Sequence, residues 1–170
     1  MISSRVRRLA AEPVLNTLAM DLGKLHILAS RFREAIEACD PKHLTIGLED
    51  FPRGSCGDAS LLLGTYLREH GRGDFTYILA ERREGDSWFS HAWVEIDGVL
   101  VDITADQFPE IDERVIVCRD SAWHRRFEIE PRGVADFRVY DTRTVAFLGQ
   151  AYLAICARLS PNSAITQGTE

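Results

Sequence analysis

The sequence predicts an α+β fold in which N-terminal helices pack on a mainly antiparallel sheet. Two amphipathic stretches come first, short apolar stretches separated by turn residues follow, and a third amphipathic stretch closes the pattern. Helices that precede and follow a group of strands, rather than alternating with them, are typical of the α+β class. We expect one domain over residues 1–170, with an N-terminal helix at about 13–39, a core at about 54–140 and a C-terminal helix at about 142–159.

The first helix is predicted because apolar residues recur at intervals of three and four, which places them on one face. Pro13 suits the first helical turn, Gly23 is a candidate break, and Asp40-Pro41 ends the helix. The apolar face comprises Val14, Leu18, Leu22, Leu25, Leu28, Ala29, Phe32 and Ile36.

A second helix is predicted to begin at Cys56. Ser55 can cap it, and Asp58, three residues after Ser55, completes a pattern close to a capping box. The helix is expected to end at His70-Gly71, because glycine is favoured just after a helix C-terminus.

Strands are predicted where short apolar stretches are bounded by turn residues. The Asp97-Gly98 pair lies between two of these stretches and is a strong signal for a two-residue hairpin turn. A polar connection around Gly85 is expected between the first two strands. The expected strands are 75–79, 91–96, 99–103, 115–118 and 137–140. The last helix carries Val145, Leu148, Ala151, Tyr152, Ile155 and Leu159 on one side.

Composition and charge narrow the classes of function. Hydrophobic residues make up 45% and charged residues 27%, which is ordinary for a folded soluble protein. No apolar run approaches the ~18 residues that cross a bilayer, and the N-terminus lacks the pattern of a secretory signal. The net charge of −6 argues against a nucleic-acid partner. The four cysteines include no C-x-x-C pair, so we expect a reducing, cytoplasmic compartment.

The predicted hairpin places a histidine beside an aspartate. With Asp97-Gly98 as a two-residue turn, Trp93 pairs with Asp102, and His91 lies two positions further along the same face. The Cβ atoms of His91 and Asp102 are then roughly 7 Å apart, within reach of a hydrogen bond between their side chains. A slip of one residue would place them on opposite faces, so this expectation depends on the turn.

Cys56 is the candidate nucleophile. A helix N-terminus stabilises the thiolate, the reactive form of cysteine, through its unpaired N–H groups and its dipole. Gly54 and Gly57 beside it leave space for a substrate, and the same N–H groups can bind the oxyanion that forms when a thiolate attacks a carbonyl. With His91 as general base and Asp102 as the residue that orients it, Cys56 predicts a site for acyl transfer.

These residues resemble the core of the transglutaminase-like superfamily, which belongs to the wider papain-like set of cysteine enzymes. The resemblance covers about residues 54–104, less than a third of the chain. The short spacing of its histidine and aspartate is similar to compact bacterial members such as the leader peptidases of lasso-peptide maturation. The segments that carry it are Gly54-Ser55-Cys56-Gly57-Asp58 at a helix start, Ser90-His91-Ala92-Trp93-Val94-Glu95, and Val101-Asp102-Ile103-Thr104.

The resemblance implies a papain-like fold and a Cys56-His91-Asp102 triad that hydrolyses an amide or peptide bond, as a peptidase, amidase or deamidase does. It implies a peptide or protein substrate, or a small amide, and neither a cofactor nor a metal. Transfer of the acyl group to an amine, as in a transglutaminase or acyltransferase, is the alternative within the same chemistry. An inactive binding module and an effector that modifies another protein are further alternatives. The sequence does not predict the oligomeric state.

One part of the papain pattern is missing. Papain-like proteases place a glutamine several residues before the cysteine as an oxyanion donor, and residues 48–53 contain none. A second donor must then come from Trp93, Gln107 or another backbone N–H. The expected substrate-binding residues are Gly57, Trp93 and Gln107.

The remaining candidates have plain structural interpretations. Zinc bound by Cys56, His91 and Asp102 is an alternative to the triad, but structural zinc sites usually contain paired cysteines at short spacing. Three thiols are expected to be structural: Cys39, Cys118 and Cys156. Four histidines have no matched partner in the sequence and are expected at the surface or in the core: His26, His43, His70 and His124.

Overall fold

The computed structural model describes residues 20–159. Over that range the chain is a mixed α+β structure with three α-helices and a five-stranded antiparallel sheet, which confirms the predicted class. The strand order across the sheet is β4-β3-β2-β1-β5. The elements are α1 (Leu22–Glu37), α2 (Cys56–Glu69), β1 (Thr76–Glu84), β2 (Ser87–Ile96), β3 (Val99–Asp102), β4 (Ile116–Cys118), β5 (Glu128–Val134) and α3 (Thr142–Leu159).

Two apolar clusters hold these elements together. The larger cluster joins the three helices to the sheet and includes Leu25, Phe32, Leu62, Leu67, Val94, Val101, Leu148 and Ile155. The smaller cluster joins the sheet to the irregular chain that follows β3 and includes Ile78, Trp93, Leu100, Phe108, Trp123 and Phe127. Among the described helices, none is long and apolar enough to span a membrane.

The first helix begins later than the sequence predicts. Asp21 has an extended backbone, and its side chain accepts a hydrogen bond from the Lys24 backbone N–H, so it caps a helix that starts at Leu22. The predicted start at Pro13 lies outside the described residues. At the other end, Ala38 caps the helix where the sequence predicts it to stop.

The second helix begins at Cys56 as predicted, but the expected capping box does not form. The Ser55 hydroxyl donates to the Arg53 carbonyl oxygen at 3.2 Å and accepts no hydrogen bond from the N–H groups of the first turn. The Asp58 carboxylate accepts a hydrogen bond from the Thr45 hydroxyl at 3.0 Å instead. No side chain of the described residues therefore caps the N–H groups of this first turn.

The strand pattern differs from the prediction on both sides of Gly85. The expected polar connection is part of a hairpin, because β1 continues to Glu84 and turns through Gly85-Asp86 into β2. The sequence does not predict this half of the strand, because the charged residue Arg82 occupies a buried position where an apolar residue is expected. Its guanidinium is buried, with its central carbon 4.9–5.4 Å from the centroids of four aromatic rings: Phe89, Phe108, Trp123 and Phe127.

The position of the last strand also differs from the prediction. The strand expected at 137–140 is a single 3₁₀ turn at Phe137–Val139, because the Asp136 side chain accepts from the Arg138 backbone N–H and caps it. The strand at this edge is β5, in which every residue is exposed. Pro131 lies within β5, which suits an edge position but not a central strand.

The central hairpin forms with the predicted register. Ile96 pairs with Val99, and both turn residues have positive φ angles, 48° at Asp97 and 70° at Gly98. Positive φ at both positions gives the turn a twist that matches the flanking strands.

The chain that follows β3 is held to α1 by a buried arginine. The Arg33 side chain is 4% exposed and donates to the Ile103 and Arg114 carbonyl oxygens at 2.8 and 2.7 Å. It also forms a two-pronged ion pair with the Asp106 carboxylate, with both N–O distances at 2.7 Å. Ion pairs with this two-pronged geometry are among the stronger ones in proteins.

Replacing Arg33 with methionine is expected to lower the free energy of unfolding by about 3–5 kcal/mol, because Asp106 and two carbonyl groups lose their partner. Urea unfolding measures the difference. Lys24→Met is the matched control, since Lys24 forms an exposed ion pair with Asp21, and such pairs contribute about 0–1 kcal/mol. Equal losses in the two variants would contradict the assigned role of Arg33.

Candidate active site

Cys56 is the first residue of α2 and is partly exposed. The preceding Gly54 has a φ of 65°, a conformation that L side chains rarely adopt, and its own surroundings are open. The chain therefore turns sharply into the helix and leaves the thiol accessible. The uncapped N–H groups of this turn lie beside the sulfur, where they can donate to an anion.

The central hairpin brings His91 and Asp102 together as the sequence predicts. The His91 Nε2 atom lies 2.6 Å from Asp102 Oδ2, and the two side chains are 0% and 1% exposed. The ladder between β2 and β3 is regular up to the pair Val94 and Val101. The same register places Trp93 opposite Asp102, and His91 lies two residues beyond Trp93 on the same face.

The Asp102 carboxylate accepts four hydrogen bonds. Oδ1 accepts from the Thr104 backbone N–H at 2.8 Å and from its hydroxyl at 3.2 Å. Oδ2 accepts from His91 and, at 3.0 Å, from His124 Nε2. Burial by itself would raise the pKa of Asp102, but the charges and hydrogen bonds of the two histidines outweigh it and lower the pKa below its usual range. Asp102 is therefore held as an anion.

His91 is influenced by both of its neighbours. Burial by itself would lower its pKa, but the charge of Asp102, the hydrogen bond to it and the Cys56 thiol together raise the pKa to about 9. The thiol acts on the imidazole both as a hydrogen-bond partner and as a charge. Since Asp102 occupies Nε2, Nδ1 is the nitrogen left to exchange a proton with Cys56.

Gln107 lies on the same side of the imidazole. Its Nε2 atom is 3.2 Å from His91 Nδ1 and donates to the Thr104 carbonyl oxygen at 2.9 Å, while its Oε1 accepts from the Gly54 backbone N–H at 3.3 Å. These contacts fix the amide so that an N–H points at Nδ1. An amide N–H can donate only to an unprotonated nitrogen, so Gln107 favours the neutral imidazole while Asp102 favours the charged one.

Two other predicted substrate-binding residues have different surroundings. The Trp93 ring is 1% exposed, and its indole N–H donates to Glu95 Oε1 at 2.7 Å, so this N–H is already bonded away from Cys56. Gly57 lies in the first turn of α2, where an added Cβ would lie 3.3 Å from the Tyr77 hydroxyl oxygen.

Tyr77 is a residue of this region that sequence reasoning missed. Burial raises its pKa to about 12, and the charges of Cys56 and Asp58 add to the rise. Its hydroxyl is therefore protonated at neutral pH and lies near the start of α2. The only sequence signal was its place in β1, and this does not indicate what the side chain meets.

The other three cysteines have raised pKa values. None of the four forms a disulfide, and burial raises the pKa of Cys39, Cys118 and Cys156. A raised pKa keeps a thiol protonated and unreactive at neutral pH. This agrees with the structural interpretation of these three residues.

His124 lies in the core, one of the two places expected for it, and has a partner that the sequence did not indicate. It is buried and shares Asp102 Oδ2 with His91, and the ligand atoms of the three residues lie within 4.8 Å of one another. The two N–O distances of 2.6 and 3.0 Å are hydrogen-bond distances. Two ligands on one tetrahedral zinc ion lie roughly 3.3 Å apart, given metal–ligand bonds of about 2.0 Å. The spacing therefore fits hydrogen bonds better than a metal.

Comparisons of the chain with protein-family models, with curated proteins and with solved structures found no match.

The raised pKa of His91 predicts a dependence of stability on pH. A group whose pKa is higher in the folded state stabilises the protein fully below its unfolded pKa, here 6.5, and loses this contribution as pH rises through about 9. We expect the free energy of unfolding to fall over this window by a few kcal/mol, on the order of 1–3.

Urea unfolding at pH 6, 7.5 and 9.5 checks this, with Asp102→Asn as the test variant because it removes the carboxylate that favours the charged imidazole. The fall should be much smaller in Asp102→Asn and unchanged in His43→Gln, since His43 is exposed. The same fall in wild type and Asp102→Asn would contradict the prediction.

Proposed function

We propose that the protein is a cysteine-dependent acyl-transfer enzyme that hydrolyses an amide or peptide bond. The observation that carries the proposal is the buried 2.6 Å contact between His91 and Asp102, with the thiol of Cys56 as a hydrogen-bond partner of the same imidazole. A base oriented by an anion and placed beside a thiol at a helix start is the arrangement that activates a cysteine. The resemblance to the transglutaminase-like superfamily supports the same assignment.

The reaction begins from the form in which His91 Nδ1 already carries the proton of the Cys56 thiol, because the raised pKa of His91 favours the charged imidazole at neutral pH. The Cys56 thiolate attacks the carbonyl carbon of the substrate, a C–S bond forms, and the carbonyl oxygen becomes an oxyanion. Collapse of this intermediate breaks the C–N bond, and the leaving amine or ammonia receives the proton from His91. A water molecule, deprotonated by His91, then attacks the thioester, releases the carboxylic acid and restores the thiol.

Backbone N–H groups at the start of α2 are the first oxyanion donors in this proposal, since no side chain of the described residues caps them. Gln107 is the second. Its N–H faces His91 Nδ1, which can accept a hydrogen bond only while it is unprotonated. Once Nδ1 carries the thiol proton, that N–H is left to donate to the oxyanion.

Hydrolysis and transfer to an amine share every step up to the thioester, and they differ only in the nucleophile that resolves it. Hydrolysis of a peptide or protein amide, or of a small amide, is the first choice. Transglutaminase-type transfer is the alternative. An inactive binding module would not need a buried base that is oriented toward a thiol.

Cys56 is expected to react with iodoacetamide faster than any other cysteine at pH 7. An ordinary thiol is only about 3% ionised at that pH, so loss of the base in His91→Ala should slow alkylation of Cys56 by roughly 30-fold. Peptide mass spectrometry of the full chain after timed alkylation assigns the rate to each cysteine. Cys118→Ala is the control, and it should leave the rate at Cys56 unchanged.

A sluggish Cys56 at every pH would favour the binding module. Alkylation that is fast but equal in wild type and His91→Ala would remove His91 from the mechanism.

A covalent thioester on Cys56 is the second expected result. Intact-mass spectrometry of the protein mixed with activated esters and peptide amides should show an added acyl group that is lost in Cys56→Ala. Decay of the adduct in water alone indicates a hydrolase, whereas decay that requires an added amine indicates a transferase. No adduct with any donor, although the thiol reacts with iodoacetamide, would contradict acyl transfer.

A further inference from the structure

His124 is brought to Asp102 from a distant part of the chain. It begins a 3₁₀ turn, His124–Arg126, just before β5, and lies 22 residues after the aspartate. Its side chain is 4% exposed. The mechanism proposed above does not use it.

The contact with Asp102 shows which ring nitrogen of His124 carries a proton. Asp102 is held as a carboxylate and can only accept, so His124 Nε2 carries a proton and donates it to Oδ2 at 3.0 Å. The Ser121 hydroxyl oxygen accepts from the His124 backbone N–H at 3.3 Å and lies 2.7 Å from ring Nδ1, to which it can donate its own proton.

Aromatic rings fix the imidazole in this position. The His124 ring meets Trp93 and Trp123 edge-on, with centroids 4.8 Å away in both cases. Its centroid lies 6.2 Å from that of His91. The ring therefore has little freedom to leave the carboxylate oxygen that both histidines share.

We infer that His124 is a positioning residue that acts on the catalytic pair through Asp102, because it donates to the same Oδ2 atom that meets His91 and takes up part of the carboxylate's negative charge. This inference rests on the proposed function, since it assigns a role to a residue around the Cys56-His91-Asp102 triad. His124 does not contact the thiol in this assignment and acts only through Asp102.

The imidazoles of His91 and His124 both interact with the negative charge of Asp102. His91 faces Asp102 of β3 and Cys56 of α2, and His124 faces Asp102. Other charged side chains lie behind the surrounding aromatic rings or along the neighbouring cavity: Arg82, Glu95, Glu110, Arg119, Asp120 and Arg125. In the described part of the chain, none of them forms a hydrogen bond with either imidazole.

The carboxylate is expected to stay in place when His124 is replaced, because Thr104 holds Oδ1 with two hydrogen bonds. What changes is the charge on Oδ2. With one donor fewer, the carboxylate attracts the proton of His91 more strongly, so the charged imidazole is favoured. A charge-assisted hydrogen bond corresponds to a shift of about one pKa unit in its partner.

The test is a titration of His91 by long-range ¹H–¹⁵N spectra of the full-length protein. In wild type, the ¹⁵N shifts of His124 should show the proton on Nε2. In His124→Phe, which keeps a ring but has no donor, the His91 midpoint should rise by about one pH unit. His124→Gln, which keeps an N–H, should stay close to wild type, and His43→Phe should have no effect.

Three results would overturn the inference. These are a His124 Nε2 without a proton in wild type, an unchanged His91 midpoint in His124→Phe, and equal shifts in His124→Phe and His124→Gln. The wild-type spectrum decides the first of these even if the variants do not fold. Since none of these readouts depends on alkylation or acyl adducts, failure of the proposed function would be seen separately.

Chemical rescue gives an independent readout. A cavity of about 420 Å³ borders His124 and is lined in part by Leu100, Phe127 and Ile129. In His124→Gly, free imidazole should enter the space left by the ring and return the His91 midpoint toward the wild-type value. A midpoint that does not respond to imidazole in His124→Gly would count against the inference, and His43→Gly is the control for nonspecific effects.

Discussion

The buried carboxylate of Asp102 is the group on which the arrangement of the site depends. An isolated carboxylate removed from water costs several kcal/mol, and the cost is offset only when its oxygens are fully hydrogen-bonded. Here a backbone N–H, a hydroxyl and two imidazoles bond to the two oxygens. Removing any one of them would leave a buried anion short of a partner. The folded structure therefore requires β2, β3 and the chain before β5 to meet at this carboxylate.

The chain between β3 and β5, which is mostly irregular apart from the short strand β4, supplies three of the side chains in the site: Thr104, Gln107 and His124. Two buried arginines hold this segment in place. Arg33 of α1 bonds to Asp106 and to two carbonyl groups, and Arg82 of β1 pairs with Glu110 and lies over Phe108 and Trp123. Apart from the short strand β4, this segment has no regular strand pairing, and two arginines that α1 and β1 contribute hold it in a fixed shape.

Local features of the sequence were sufficient to predict the centre of the site. The contact between His91 and Asp102 follows from one turn, because the two-residue turn fixes which residues of the strands face each other. The position of Cys56 follows from a helix start with a glycine on either side. Both depend on neighbours within a few residues along the chain, and such neighbours can be read from the sequence.

The features that were missed depend on contacts between distant residues. His124 meets Asp102 only because Trp93 and Trp123 pack around it, and no pattern near residue 124 indicates this. The predicted capping box does not form, because the Thr45 hydroxyl, in a separate loop, donates to the Asp58 carboxylate instead. Similarly, β5 has no buried residue, so the alternation that predicts a strand is absent.

The turn at Asp97-Gly98 limits how this hairpin can vary in length. When one residue is added to each strand next to the turn, the original cross-strand pairs are kept, because both strands lengthen by the same amount. A residue added to one strand alone breaks the pairing and sends one of the two side chains to the other face. With a two-residue turn retained, the separation of histidine and aspartate along the chain can change only in steps of two. Homologous hairpins of different length are therefore expected to differ by even numbers of residues between these two positions.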